Sequence, residues 1–144
     1  MTSTILRTAL ATLACATAVV LASPSMAAMV HFKANMKASN EVPPTKSKGT
    51  GSLTATLDTS SKKLTWKGSY KGLTGPATAA HFHGPAGPGK NAGVAIPISP
   101  NTSPFQGSAT LTDEQIKDLE AGMWYVNVHT AANKGGEIRG QVQK

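Results

Sequence analysis

Apolar and polar residues alternate over residues 30–38. Val30, Phe32, Ala34 and Met36 share one phase, and His31, Lys33, Asn35 and Lys37 the other. A period of two marks a strand with one buried face. The period returns over residues 51–57 through Leu53, Ala55 and Leu57, and over 63–70 through Leu64, Trp66 and Gly68. Asp58-Thr59-Ser60-Ser61-Lys62 between them is turn chemistry and predicts a hairpin with a five- or six-residue loop. Short strands are predicted at 78–83, 93–98 and 105–111. Two more follow, at 123–130 with Trp124, Val126 and Val128 inward, and at 137–143 with Ile138 and Val142 inward. Residues 112–121 break the pattern and predict the one helix. Thr112 and Gln115 form a capping box, Asp113 and Glu114 sit at the positive end of the helix dipole, and Gly122 ends it. Seven or eight short strands with frequent turns predict an all-β, antiparallel β-sandwich or barrel with one short α-helix at about 112–121.

The first residues follow a different pattern. Arg7 precedes an uncharged run over residues 8–22, and Ser25-Met26-Ala27 supplies small residues for cleavage. This predicts a secretory signal over residues 1–27, a single mature domain over 28–144, and a secreted or periplasmic location with no transmembrane segment after cleavage. Cys15, the only cysteine, falls inside the signal, so the domain has no disulfide and no thiolate ligand. The chain has 14 basic and 7 acidic residues. Its lysines look scattered, which predicts a soluble surface with weak attraction to anionic envelope components. Basic residues interleaved with aromatics are missing from the sequence, which argues against a nucleic-acid partner.

Candidate chemistry centres on histidine. His81 and His83 are two apart on a predicted strand, so they share a face while Phe82 points inward. His129 lies on the polar phase of its strand with Tyr125 and Asn127. If the two strands are neighbours, three imidazoles converge, a set that suits Zn²⁺ or Cu²⁺. The competing reading has these histidines bonding to turn backbone. Arg139 and Glu137 alternate on one strand face and are expected to pair or to sit beside the histidines. No nucleophile elbow is present, the helix carboxylates read as solvated, and the glycines at 84–89 precede no helix that would cradle phosphate.

Four segments carry a resemblance, in order along the chain. They are Asn40-Glu41-Val42-Pro43-Pro44; His81-Phe82-His83-Gly84-Pro85-Ala86; Leu111-Thr112 before the helix; and Tyr125-Val126-Asn127-Val128-His129-Thr130 with Gly136-Glu137-Ile138-Arg139-Gly140-Gln141. Together they resemble the CHRD domain, found in the animal protein chordin and in bacterial secreted proteins. The resemblance implies a Greek-key-like sandwich with a layout related to the copper–zinc superoxide dismutases. It also matches His81, His83, His129, Glu41, Glu137 and Arg139 to family positions. It implies no defined ligand. A dismutase centre would need a second histidine cluster, and this chain lacks one. The reading preferred on the sequence is an exported binding or envelope protein of undefined ligand, more a binding module than an enzyme. In it, His81, His83 and His129 are candidate ligands for Cu or Zn, and Asn127, Arg139 and Glu137 surround them. A copper-dependent redox or dismutase-like metalloenzyme and a purely structural extracellular matrix protein stay open as alternatives.

Overall fold

The computed structural model describes residues 27–144. The signal expected over residues 1–27 therefore lies outside the described residues, Ala27 apart. Eight strands form: β1 (Met29–Lys37), β2 (Thr50–Asp58), β3 (Lys63–Lys71), β4 (Ala77–His83), β5 (Val94–Pro97), β6 (Phe105–Thr110), β7 (Tyr125–Thr130) and β8 (Ile138–Gln141). The helix α1 (Asp113–Glu120) separates β6 from β7. The strand order is β5-β4-β7-β8-β1-β2-β3-β6, antiparallel throughout.

Strands β1 and β8 share one ladder pair, Lys37 with Arg139, and just past β8 Gln143 forms an isolated bridge with Lys33. At this thin seam the sheet folds over into two leaves, β1-β2-β3-β6 and β5-β4-β7-β8. Trp66 on the first leaf meets Phe82 on the second edge-on, with ring centres 5.2 Å apart, and Phe82 in turn meets Trp124 at 5.9 Å. Phe32, Met36, Leu53, Leu57, Leu64, Val126, Val128 and Ile138 fill the space between the leaves. Connections from β3 to β4, β5 to β6 and β6 to β7 cross between leaves, which is a Greek-key-like path. The expected all-β sandwich with one short helix is what forms.

Local signals account for most boundaries. Thr112 Oγ1 accepts from the Gln115 N–H while Gln115 Oε1 accepts from the Thr112 N–H, so the expected capping box is complete. Leu119 plugs α1 into the core. The β2–β3 loop is shorter than expected. Asp58 pairs directly with Lys63, which leaves four residues in the turn. Asp58 Oδ1 accepts from the Ser60 N–H, the Ser60 hydroxyl and the Ser61 N–H, so the aspartate organises the turn and closes the ladder one step early.

The leaves differ on their outer faces. β1 alternates cleanly between exposed and buried residues, and β2 and β3 nearly so. On β7, Tyr125, Asn127 and Thr130 are buried along with Val126 and Val128, and on β8 Arg139 is buried along with Ile138. Loop residues 38–49 and 84–93 lie over this outer face and cover it.

Candidate functional site

Pairing of β4 with β7 sets Phe82 opposite Val126, both in the core, and sets His83 opposite Tyr125 and His81 opposite Asn127 on the other face. His129 pairs with Ala79, one step along the same face. The three imidazoles therefore converge. One nitrogen from each of His81, His83 and His129 lies within 4.8 Å of the others. His81 Nδ1 is 3.1 Å from His129 Nε2, and the His81 ring stands nearly perpendicular to that of His83. His31 is elsewhere, on the outer face of the first leaf, bonded to the Thr56 hydroxyl at 3.0 Å.

Backbone carbonyls fix the tautomers. His83 Nδ1 faces Ala92 O at 3.0 Å and His129 Nδ1 faces Lys134 O at 2.9 Å. A carbonyl only accepts, so both Nδ1 atoms carry the proton and both Nε2 atoms keep a lone pair. His129 Nε2 receives the Nδ1–H of His81. His83 Nε2 is buried and has no hydrogen-bond partner. Burial lowers the His81 pKa, with His129 and His83 adding to the effect. Burial likewise lowers that of His83, against the Ala92 carbonyl, the Asn127 side chain and the Gly93 backbone, which favour the charged ring. Both groups are thus biased toward the neutral, metal-ligating form.

A column of side chains backs the histidines. The Tyr125 ring stacks on His83 at 4.8 Å with 4° between planes, and the Arg139 guanidinium lies 3.4 Å from the Tyr125 ring centre. β4 and β8 flank β7 on opposite sides, so Tyr125 sits between the imidazole and the cation. Arg139 donates to Asn91 Oδ1 at 3.0 Å and Lys90 O at 2.6 Å. Asn91 donates onward to Val42 O, and Ala92 O accepts from both Tyr125 Oη and His83. Three consecutive loop residues, Lys90, Asn91 and Ala92, therefore hold Arg139, Tyr125 and His83 in place.

The expected surrounding residues separate into two groups. Asn127 is buried beside the histidines, but its Nδ2 donates to Glu41 Oε1 at 3.2 Å, and its Oδ1 has no partner. Burial raises the Glu41 carboxyl above its ordinary value, against the Asn127 amide, the Val42 N–H and the charge of Arg139. Gly136, at φ +129, is needed here because a Cβ would overlap Glu41 Oε1 and Asn127 Nδ2. Glu137 departs from expectation, for it neither pairs with Arg139 nor faces the histidines. Its carboxylate accepts from the Ser47 hydroxyl, the Thr74 N–H and hydroxyl, the Thr130 hydroxyl and the Asn133 amide. Burial works against its charge, yet these donors win and hold its pKa down at about 2. Five neutral donors satisfy the carboxylate, so Arg139 is left to the Tyr125 ring and the loop. Tyr125 and Asn91 are the residues the sequence reading underused. Tyr125 shares the strand phase of His129, whereas nothing local marks Asn91.

Among the described residues, no helix is long and apolar enough to cross a membrane. A family model described as the CHRD domain matches residues 32–142. No curated protein and no solved structure matches the chain.

Proposed function

The chain belongs to the CHRD domain family, and on that premise we propose that it is an exported binding module that holds a transition-metal ion through His81, His83 and His129, Cu²⁺ ahead of Zn²⁺. The observation that carries the reading is His83 Nε2, a lone pair buried without a partner beside two further imidazoles. A buried polar atom left unsatisfied costs about 1–3 kcal/mol, and a cation at this point removes that cost. The donor set is chemically suitable. It has three imidazoles, no thiolate and no carboxylate, and two of its rings donate their other N–H to backbone carbonyls as metal-ligating histidines do. Nitrogens sharing an ion at about 2.0–2.1 Å lie roughly 3.3 Å apart. Closing from 4.8 Å requires a ring to turn, and His81, held only by His129, is the one free to do so. With imidazole ligands alone, the Irving–Williams order favours Cu²⁺ over Zn²⁺.

Titration of the purified domain with Cu²⁺, read by calorimetry and by the nitrogen hyperfine pattern in electron paramagnetic resonance, tests the reading. Binding tighter than about 0.1 mM with imidazole coordination, abolished in His81→Ala/His83→Ala, supports it. Binding that the double variant keeps sinks it. Export is checked separately, by N-terminal sequencing of protein recovered outside the cytoplasm, which should begin near Ala28.

A further inference from the structure

The lysines that look scattered in sequence gather on one face of the fold. β1, β2 and β3 pair in register, so Lys33, Thr54 and Lys67 form one rung across the outer face of the first leaf. Lys37, Thr50 and Lys71 form another, four residues along each strand. Lys63 lies on the same face beside Asp58. The result is two lines of ammonium groups, Lys33 and Lys37 on β1 and Lys63, Lys67 and Lys71 on β3. Four residues of strand separate successive lysines by about 13 Å, and one intervening strand separates the lines by about 10 Å. Between them β2 presents only Thr50, Ser52, Thr54 and Thr56, before Asp58 at its end.

Little on this face neutralises the charge. Asp58 is its only acid, and that carboxylate is engaged by Ser60 and Ser61. The described residues form two side-chain ion pairs, Lys62 with Asp113 and Lys144 with Glu120, and neither includes any of the five lysines. The face is also recessed. An open groove of about 770 Å³ crosses β3 here, lined by Ser52 and Thr54 of β2, Lys67 and Ser69 of β3, Gln106 of β6, and Pro100 and Pro104. Its aromatic neighbours Trp66 and Phe105 are buried.

We propose that this face binds a linear anionic polysaccharide, its carboxylate, sulfate or phosphate groups on the two lysine lines and its hydroxyls on the threonines and serines of β2 and in the groove beside Lys67. The charge complementarity is direct, and a row of hydroxyl and amide groups suits a sugar backbone as it does not suit a lipid tail. A recessed floor without exposed aromatic rings offers neither stacking for nucleobases nor a wedge for a bilayer. The groove is on the opposite leaf from the histidines, so the two sites are independent.

The test uses a linear polyuronate as probe, with neutral dextran, phosphatidylglycerol vesicles and a single-stranded oligonucleotide alongside. Polyuronate binding that weakens as salt rises from 50 to 300 mM is expected (about 14 to 6 Å of screening length). Lys67→Gln/Lys71→Gln should lose about tenfold in affinity, while Lys117→Gln/Lys144→Gln, of equal net charge, should lose less than threefold. Thr54→Val, which removes a hydroxyl and no charge, should lose about threefold. Equal losses in the two lysine pairs, no polyuronate binding at 50 mM salt, tighter binding of vesicles or oligonucleotide, or unchanged affinity in Thr54→Val would each overturn the proposal. All variants should unfold at the wild-type temperature, since every altered side chain is at the surface.

Discussion

The sandwich has two outer faces, built from the same kind of antiparallel strand, and they have opposite characters. The outer face of β1-β2-β3 is open, hydroxylated and lysine-lined, and its side chains largely meet solvent. The outer face of β4-β7-β8 is also polar but lies under two loops, with Glu41, His83, Asn127, Glu137 and Arg139 all buried. A polar side chain on the open face is satisfied by water whatever its neighbours are. One on the covered face depends on a specific partner, and there the partners decide its charge. Glu41 and Glu137 make the point within a single face. Burial opposes ionisation of both, but Glu137 has five donors and stays ionised to a pH of about 2, whereas Glu41 has two and its pKa rises.

The sharpest way to break this comparison is to remove the best-connected group on the covered face. Glu137→Ala strands five donors, one of them on the buried Thr130, and should cost about 2–4 kcal/mol in urea unfolding. A loss below 1 kcal/mol would mean that water reaches them. The second test is pH. Glu137 is depressed from 4.5 to about 2, so its contribution is present above pH 4.5 and disappears as pH falls from 4.5 toward 2. The wild type should lose on the order of 3 kcal/mol across that window, and Glu137→Gln should show a much flatter acid limb. Glu41, shifted the other way, contributes the opposite slope above pH 4.5. The third is metal. Free Cu²⁺ at a hundred times its dissociation constant should stabilise the wild type by about 2.7 kcal/mol and His81→Ala/His83→Ala by nothing. Both pKa values are lowered, so the wild-type effect should persist below the ordinary histidine pKa of about 6.5 and be lost on further acidification. The smallest effect belongs to the open face. Thr65→Ala should change stability by less than about 0.5 kcal/mol, and a larger change in thermal unfolding would show that this face, too, depends on partners.

The two faces also differ in how well the sequence reveals them. Strict alternation located β1, β2 and β3 almost to the residue, because one side of each strand meets water and the other meets the core. Phase alone brought His81, His83 and His129 onto one side, and it put Asn127, Glu137 and Arg139 there too. Phase could not show which of these touch. The pairing of Glu137 with Arg139 looked natural two residues apart, yet Glu137 turns to Thr130 at the end of β7 and to Thr74 and Ser47, which are distant in sequence and supplied by loops. The Lys90-Asn91-Ala92 segment has no periodicity at all, so its grip on Arg139, Tyr125 and His83 is a product of tertiary structure. The lysine lines were hidden for a related reason, since register across three strands must be known before Lys33 and Lys67 become neighbours.

The seam between the leaves has a consequence for the timing of folding. β8, the last of the described strands in chain order, occupies the middle of the strand order, and it joins β7 to β1. Just ahead of it, Glu137 supplies the acceptor for Ser47, Thr74 and Thr130. A nascent chain lacking residues 137–142 thus has two leaves with no hinge, an open edge on β1 and a set of donors with nothing to meet. Such contacts close only across long stretches of sequence, so they form late and together.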